Sequence, residues 1–142
     1  MKTFVAYRFT GEDPAVLEPL LVTVRDTLLE KGIDVYCTFF DEDEFKNKNF
    51  GPRKIMDHAF EIIDECDFMF VVLTSDAKSE GLLMEVGYCI AKGIPVVVAT
   101  KNTVKFTYVP EMSHQAFTWN DLEDLQSKIQ SLELKNFGSN SY

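Results

Sequence analysis

The chain has 142 residues, of which 46% are hydrophobic, with 12 Phe but only 7 Gly and 5 Pro; this suits one domain, residues 1–142, built on a single core, and excludes disordered and fibrous classes. A formal charge of −9 and a pI near 4.6 repel a phosphate backbone, so a nucleic-acid polymer is not an expected partner, while one small phosphorylated molecule is. No apolar run approaches the roughly 18 residues of a membrane span, and Met1 leads straight into strand-like sequence, so a cytoplasmic protein with no membrane partner is expected.

Thr3–Tyr7 is a short apolar run that predicts a strand. After "RFTGEDP", Leu17, Leu20, Leu21, Val24 and Leu28 recur at helical spacing, with Asp13 as N-cap, Pro14 in the first turn and Gly32 as the stop, so a helix is expected over 14–31. "IDVYCTFF", Ile33–Phe40, reads as a second strand, and Pro52–Glu65 as a second helix through Ile55, Ala59, Ile62 and Ile63. Between them "DEDEFKNKNFG" has no clear period and reads as a mobile loop. "DFMFVVLTS" and "IPVVVAT" are nearly continuous apolar runs, as in strands covered on both faces, and they flank a helix starting near Glu80. "AFTW" is a short last strand. Asn120 or Asp121 then caps a final helix with Leu122, Leu125, Ile129 and Leu132 on one side, and "NFGSNSY" is expected to fray.

The alternation of strands and helices predicts an α/β, flavodoxin-like or Rossmann-like three-layer sandwich with a five-stranded parallel sheet in the order 2-1-3-4-5. In such sheets ligands bind beyond the carboxyl ends of the strands where the order reverses, which selects the loops "YRFTGED" and "TSDAKSEG". Cys37, Cys66 and Cys89 are widely spaced and read as buried thiols, and His58 and His114 are isolated, so no metal site is expected.

Glu85 stands in an otherwise apolar helix. By angle it lies on the flank of a sector made by residues 82, 83, 86, 89 and 90, next to Tyr88 and Lys92, where it borders the core without facing it. One reading is a solvated residue paired with Lys92 and favoured by the helix N-terminus. The other is a carboxylate held at the ligand-binding edge of the sheet, able to attack an anomeric carbon and cleave a glycosidic bond through a covalent intermediate.

"CDFMFVVLTSDAKSEGLLMEVGYCIAKGIPVVV", Cys66–Val98, resembles the nucleoside 2-deoxyribosyltransferase superfamily, whose pattern is a strand after Ala-Asp, a short loop and a Glu-hydrophobic-Gly-Tyr helix. The resemblance implies an N-glycoside hydrolase or deoxyribosyltransferase acting on a nucleoside or nucleotide. It implies Glu85 as nucleophile and Gly81 as the glycine that lets backbone approach the sugar. Six residues before the nucleophile the transferases carry an Asp; Ser79 here resembles instead the 2′-deoxynucleoside 5′-phosphate N-hydrolases, where a hydroxyl donates to a phosphate. Asp57, with Glu61 and Asp64 behind it, is the nearest match to the family's second acid. Tyr7, Arg8, Phe9, Thr10 and Gly11 occupy the place of the loop lining base and sugar, Arg8 as a phosphate partner and the aromatics as stacking surfaces; the same stretch also reads as a helix-capping turn with a surface arginine. Phe40, Phe45 and Phe50 read either as a lid over the site or as packing. The resemblance further implies a homodimer or larger assembly and no cofactor. "FVAYRFTGED" more weakly resembles the opening of TIR domains, some of which cleave NAD; under that resemblance Glu85 keeps its role, and a non-catalytic nucleotide-sensing module is the remaining alternative.

Overall fold

A computed structural model describes residues 1–135 and 137. Five parallel strands, β1 (Lys2–Ala6), β2 (Asp34–Tyr36), β3 (Phe68–Leu73), β4 (Val96–Lys101) and β5 (Gln115–Trp119), form one sheet in the order β2-β1-β3-β4-β5. The predicted order 2-1-3-4-5 is the observed one. The register pairs Phe4 with Met69 and Val71 with Val98, so the reversal of strand order falls between β1 and β3.

Helices cover both faces because the strands present apolar side chains to both. On one face α1 (Pro14–Glu30) and α5 (Leu122–Gln130) set Leu17, Leu21, Val24, Leu125 and Ile129 against Val5, Phe70 and Val97. On the other, α3 (Pro52–Asp64) and α4 (Glu80–Lys92) set Ala59, Ile63, Leu82, Val86 and Cys89 against Ala6, Met69 and Val98. Asp13 caps α1 by accepting from the Ala15 N–H at 2.9 Å, and Asp121, one of the two expected caps, accepts from the Asp124 N–H at 2.8 Å.

Two expectations about the segment after β2 fail. The strand predicted over Ile33–Phe40 pairs only over Asp34–Tyr36, because the chain then turns into a 3₁₀ segment, Thr38–Asp41, at the edge of the sheet. The stretch expected to be a mobile loop contains a short helix, α2 (Glu42–Asn47). Its charges complement a helix dipole, with three acids in the first turn and Lys46 in the last, and Phe45 buries itself as the anchor. Phe45 stacks on Phe50 with centroids 5.8 Å apart and meets His58 edge-on, while Phe40 lies under the Arg25 guanidinium at 4.4 Å. Of the two readings of these aromatics, packing holds.

Each histidine has a local partner: His58 Nε2 is 2.9 Å from the Tyr36 hydroxyl, and His114 Nδ1 accepts from the Val96 N–H at 3.2 Å. Cys37 and Cys89 are buried and Cys66 is half-buried, all as free thiols. The expected fraying of "NFGSNSY" lies outside the described residues except at Phe137, whose ring packs on Phe68 at 5.6 Å. No helix among the described residues is long and apolar enough to cross a membrane.

Candidate active site

At the carboxyl edge, the β1–α1 loop, the start of α3 and the start of α4 enclose a cleft of about 510 Å³. Arg8, Thr10, Met56, Ser79, Gly81 and Met84 are among its walls. Both loops selected by the strand-order argument therefore reach one place, as the topology requires.

Arg8 is held rather than free. Its Nη1 donates to Glu12 Oε1 at 2.7 Å, four residues on in the same loop, and Ser75 Oγ donates to the same oxygen at 3.4 Å. The guanidinium lies across Gly11, whose φ is +83° and where a Cβ would come within 2.8 Å of Nη2. Gly11 thus seats the arginine, and a side chain there would both strain the backbone and displace the group. Ser79 is the N-cap of α4, accepting from the Leu82 N–H at 3.3 Å, which leaves its own hydroxyl proton to donate into the cleft. Lys78, Ser79 and the first N–H groups of α4 offer an anion donors at this end of the cleft, where Arg8 is already paired with Glu12 and Glu80 adds an opposing charge.

Glu85 is not on a solvated flank. The stripe of α4 against the sheet is Leu82, Glu85, Val86 and Cys89, so the carboxylate faces inward at 8% exposure, whereas Leu83, Met84 and Ile90 are exposed. Periodicity alone could not locate the edge of the stripe, because an apolar residue is free to sit outside. Nor does Lys92 reach it: Lys92 pairs with Asp64 at 3.7 Å and lies over the Tyr88 ring.

No cation and no hydrogen-bond donor compensates the Glu85 carboxyl among the described residues, and burial raises its pKa to about 8. Burial pushes up Tyr7, Cys37 and Cys89, and the Glu85 charge adds to each. Tyr7 closes the end of β1, its hydroxyl accepting from Thr38 Oγ1 at 3.3 Å, and its ring meets Phe9 and Phe39 edge-on. Gly81 stands one helical turn before Glu85 on the same side of α4 and carries no side chain over it. A buried carboxyl is normally bonded or paired, and one left bare beside a cleft is what a reactive group looks like.

Asp57 is elsewhere. It lies half-exposed, gripped by Arg53 Nε at 3.1 and 3.0 Å, and it does not line the cleft; α3 contributes Pro52, Ile55 and Met56 instead. The candidate residues Tyr7, Arg8, Phe9, Gly11, Ser79, Gly81 and Glu85 come from the two edge loops and α4, and Asp57 is not brought to them. Sequence reasoning missed Glu12, Lys78, Glu80 and Met84. The Arg8–Glu12 spacing of four was a readable signal for the first, and adjacency to Ser79 for Lys78 and Glu80.

A family model described as nucleoside 2-deoxyribosyltransferase matches residues 9–137. The chain belongs to that family. It is therefore an enzyme of the glycosidase and transferase type, from a family that acts on nucleosides. No curated protein sequence matches it significantly. Among solved structures it is similar to the CMP N-glycosidase BcmB of Clostridium botulinum, at 16% identity and a TM-score of 0.69 over 93% of this chain and 100% of that one. It is also similar to a 2-deoxyribosyltransferase from Bacillus psychrosaccharolyticus, at 19% identity and a TM-score of 0.67 over 100% and 99% of the two chains. The SEFIR domain of IL-17 receptor B shares the fold more loosely, at 9% identity and a TM-score of 0.55 over 92% and 94%. That last likeness is the counterpart, at the level of fold, of the weaker resemblance to TIR domains.

Proposed function

We propose that this family member hydrolyses the N-glycosidic bond of a nucleoside 5′-monophosphate, with Glu85 as nucleophile. The observation that carries the reading is the buried, unpartnered Glu85 carboxyl on the inward face of α4, the helix whose first turns wall the cleft through Ser79, Gly81 and Met84. In the first step a Glu85 oxygen attacks C1′ of the sugar. The C1′–N bond breaks, its electron pair goes to the base, and the base leaves after taking a proton from solvent in the cleft. In the second step a water oxygen attacks C1′, the C1′–O bond to Glu85 breaks, and the carboxylate is restored while the water's proton leaves to solvent. Base and sugar 5-phosphate are the products.

Arg8, Ser79 and the α4 N-terminus hold the 5′-phosphate in this reading, and Tyr7, Phe9 and Gly81 border the sugar and base. Ser79 favours a phosphate over a free 5′-hydroxyl, because a carboxylate in its place would repel the phosphate. Asp57, paired with Arg53 on the exposed side of α3, takes no part in the chemistry of this reading.

Chromatographic assay of free-base release from nucleosides, their 5′-monophosphates and NAD tests the proposal, with Glu85→Gln alongside. Base release from monophosphates, reduced about 10³-fold or more by the substitution while binding persists, is the expected result. Release from nucleosides alone overturns the phosphate assignment, and release of nicotinamide alone, without cleavage of any monophosphate, overturns the monophosphate reading. Binding without turnover in the wild type makes the protein a sensor.

A further inference from the structure

The two most exposed large hydrophobic side chains of the described residues are Phe106 and Tyr108, at 76% and 89% exposure. They are not on a slack loop. Val104 before them and Val109 after them are buried in the body of the protein. Between those anchors, Asp76 Oδ1 accepts from the N–H groups of both Lys105 and Phe106 at 2.8 Å, and Lys78 Nζ donates to the Phe106 carbonyl. Two backbone bonds hold the Asp76 carboxyl below its usual range, as a firmly engaged acceptor would be. The protein thus fastens a pair of aromatic rings in water, where leaving them costs apolar exposure.

Their position gives that expense a use. Phe106 and Tyr108, with Lys78, Lys105 and Thr107, enclose a hollow of about 400 Å³. Lys78 and Thr107 also line a narrow neck together with Arg8 and Ser79, and Arg8, Lys78 and Ser79 line the cleft itself. The three hollows therefore adjoin, with Lys78 lining all of them, in a row from the cleft past the start of α4 to the aromatic pair. Within a chain of net charge −9, these hollows gather Arg8, Lys78 and Lys105 against Glu80 and the Glu12 partner of Arg8.

A nucleoside monophosphate would end at Arg8 and Ser79 and leave the far hollow unused. We propose that the substrate continues through its phosphate: a dinucleotide in which two nucleosides are joined by a 5′,5′-diphosphate. One nucleoside lies in the cleft with its C1′ toward Glu85, the diphosphate passes Arg8, Lys78 and Lys105, and the second base stacks on Phe106 and Tyr108. The proposal rests on the reading of the cleft as a nucleotide site. It adds the second half of the substrate, and the acidity of the chain excludes extending that half into a polymer.

The test compares adenosine and cytidine 5′-monophosphates with the corresponding P1,P2-dinucleoside diphosphates. Calorimetry on Glu85→Gln measures binding without turnover, and base release by the wild type measures cleavage. The dinucleotide of the accepted base is expected to bind about tenfold or more tightly than its monophosphate, as stacking of one base supplies. Phe106→Ala together with Tyr108→Ala is expected to bring that ratio to about one while monophosphate binding and cleavage are unchanged; single substitutions and circular dichroism guard against misfolding. Equal affinities in the parent, or a ratio that survives loss of both rings, overturns the dinucleotide inference while monophosphate cleavage leaves the proposed function standing. Sedimentation showing that the double variant only splits a dimer assigns the rings to an interface between copies and overturns it as well. Failure of every compound to bind overturns both proposals.

Discussion

Replacing Glu85 by Gln should make the protein more stable, and by an amount that grows with pH. The carboxyl has a pKa of about 8 in the folded chain against 4.5 for the ordinary group. The unfolded chain therefore releases this proton at lower pH than the folded one, so stability is highest below the unfolded pKa and falls as pH rises through the folded value. Integrating between the two values gives a cost of about 1 kcal/mol at pH 5, about 3 at pH 7 and about 5 at pH 9. Glutamine keeps the shape and cannot ionise, so it escapes that cost, although its amide is still buried without a partner. Urea unfolding of both proteins at the three pH values reads the difference directly. Curves that stay parallel from pH 5 to 9 would refute the claim that Glu85 is a bare, buried carboxyl, whatever its role in catalysis.

The same ionisation sets activity, since only the carboxylate attacks: kcat/KM for base release should rise with pH and level off above about 8, where a profile flat from pH 6 to 9 would exclude Glu85 as the titrating nucleophile. Gly11→Ala should cost about 1–2 kcal/mol and weaken phosphate binding, because φ of +83° and the 2.8 Å approach to Arg8 forbid the new Cβ; denaturant unfolding and phosphate-competition assays check the two halves. Arg8→Ala should raise KM for monophosphates roughly tenfold to a hundredfold while leaving that for nucleosides alone. Asp57→Asn should alter neither constant by more than about twofold, since its carboxyl is spent on the surface pair with Arg53.

Apolar residues on the outer face of α4 explain why the burial of Glu85 escaped the sequence. Leu82, Val86 and Cys89 define a core stripe, but Leu83 and Ile90 are equally apolar and pulled the expected stripe the wrong way, leaving the carboxylate outside. A helical wheel ranks residues by polarity, whereas the sheet accepts whichever face fits, including one that carries a charge-bearing group beside a cleft. The segment after β2 failed for a related reason: "DEDEFKNKN" has too few apolar residues to show a period, yet one buried Phe45 and a favourable charge order suffice to hold a short helix.

By itself the sequence determined the sheet and its order, because two unbroken apolar strands, capped helices and short connections leave few ways to bury the chain. It also pointed to the family, through the strand, loop and Glu85-Val86-Gly87-Tyr88 helix of Cys66–Val98, and so to the chemistry to look for. Only the tertiary structure decided the state of those residues. Whether Glu85 is paired or bare, whether Arg8 is free or seated on Gly11, and whether Asp57 reaches the cleft all depend on groups distant in the chain. Local periodicity is set by backbone geometry within a few residues, but burial and charge pairing are set by what the fold brings alongside, and no spacing along one helix contains that information.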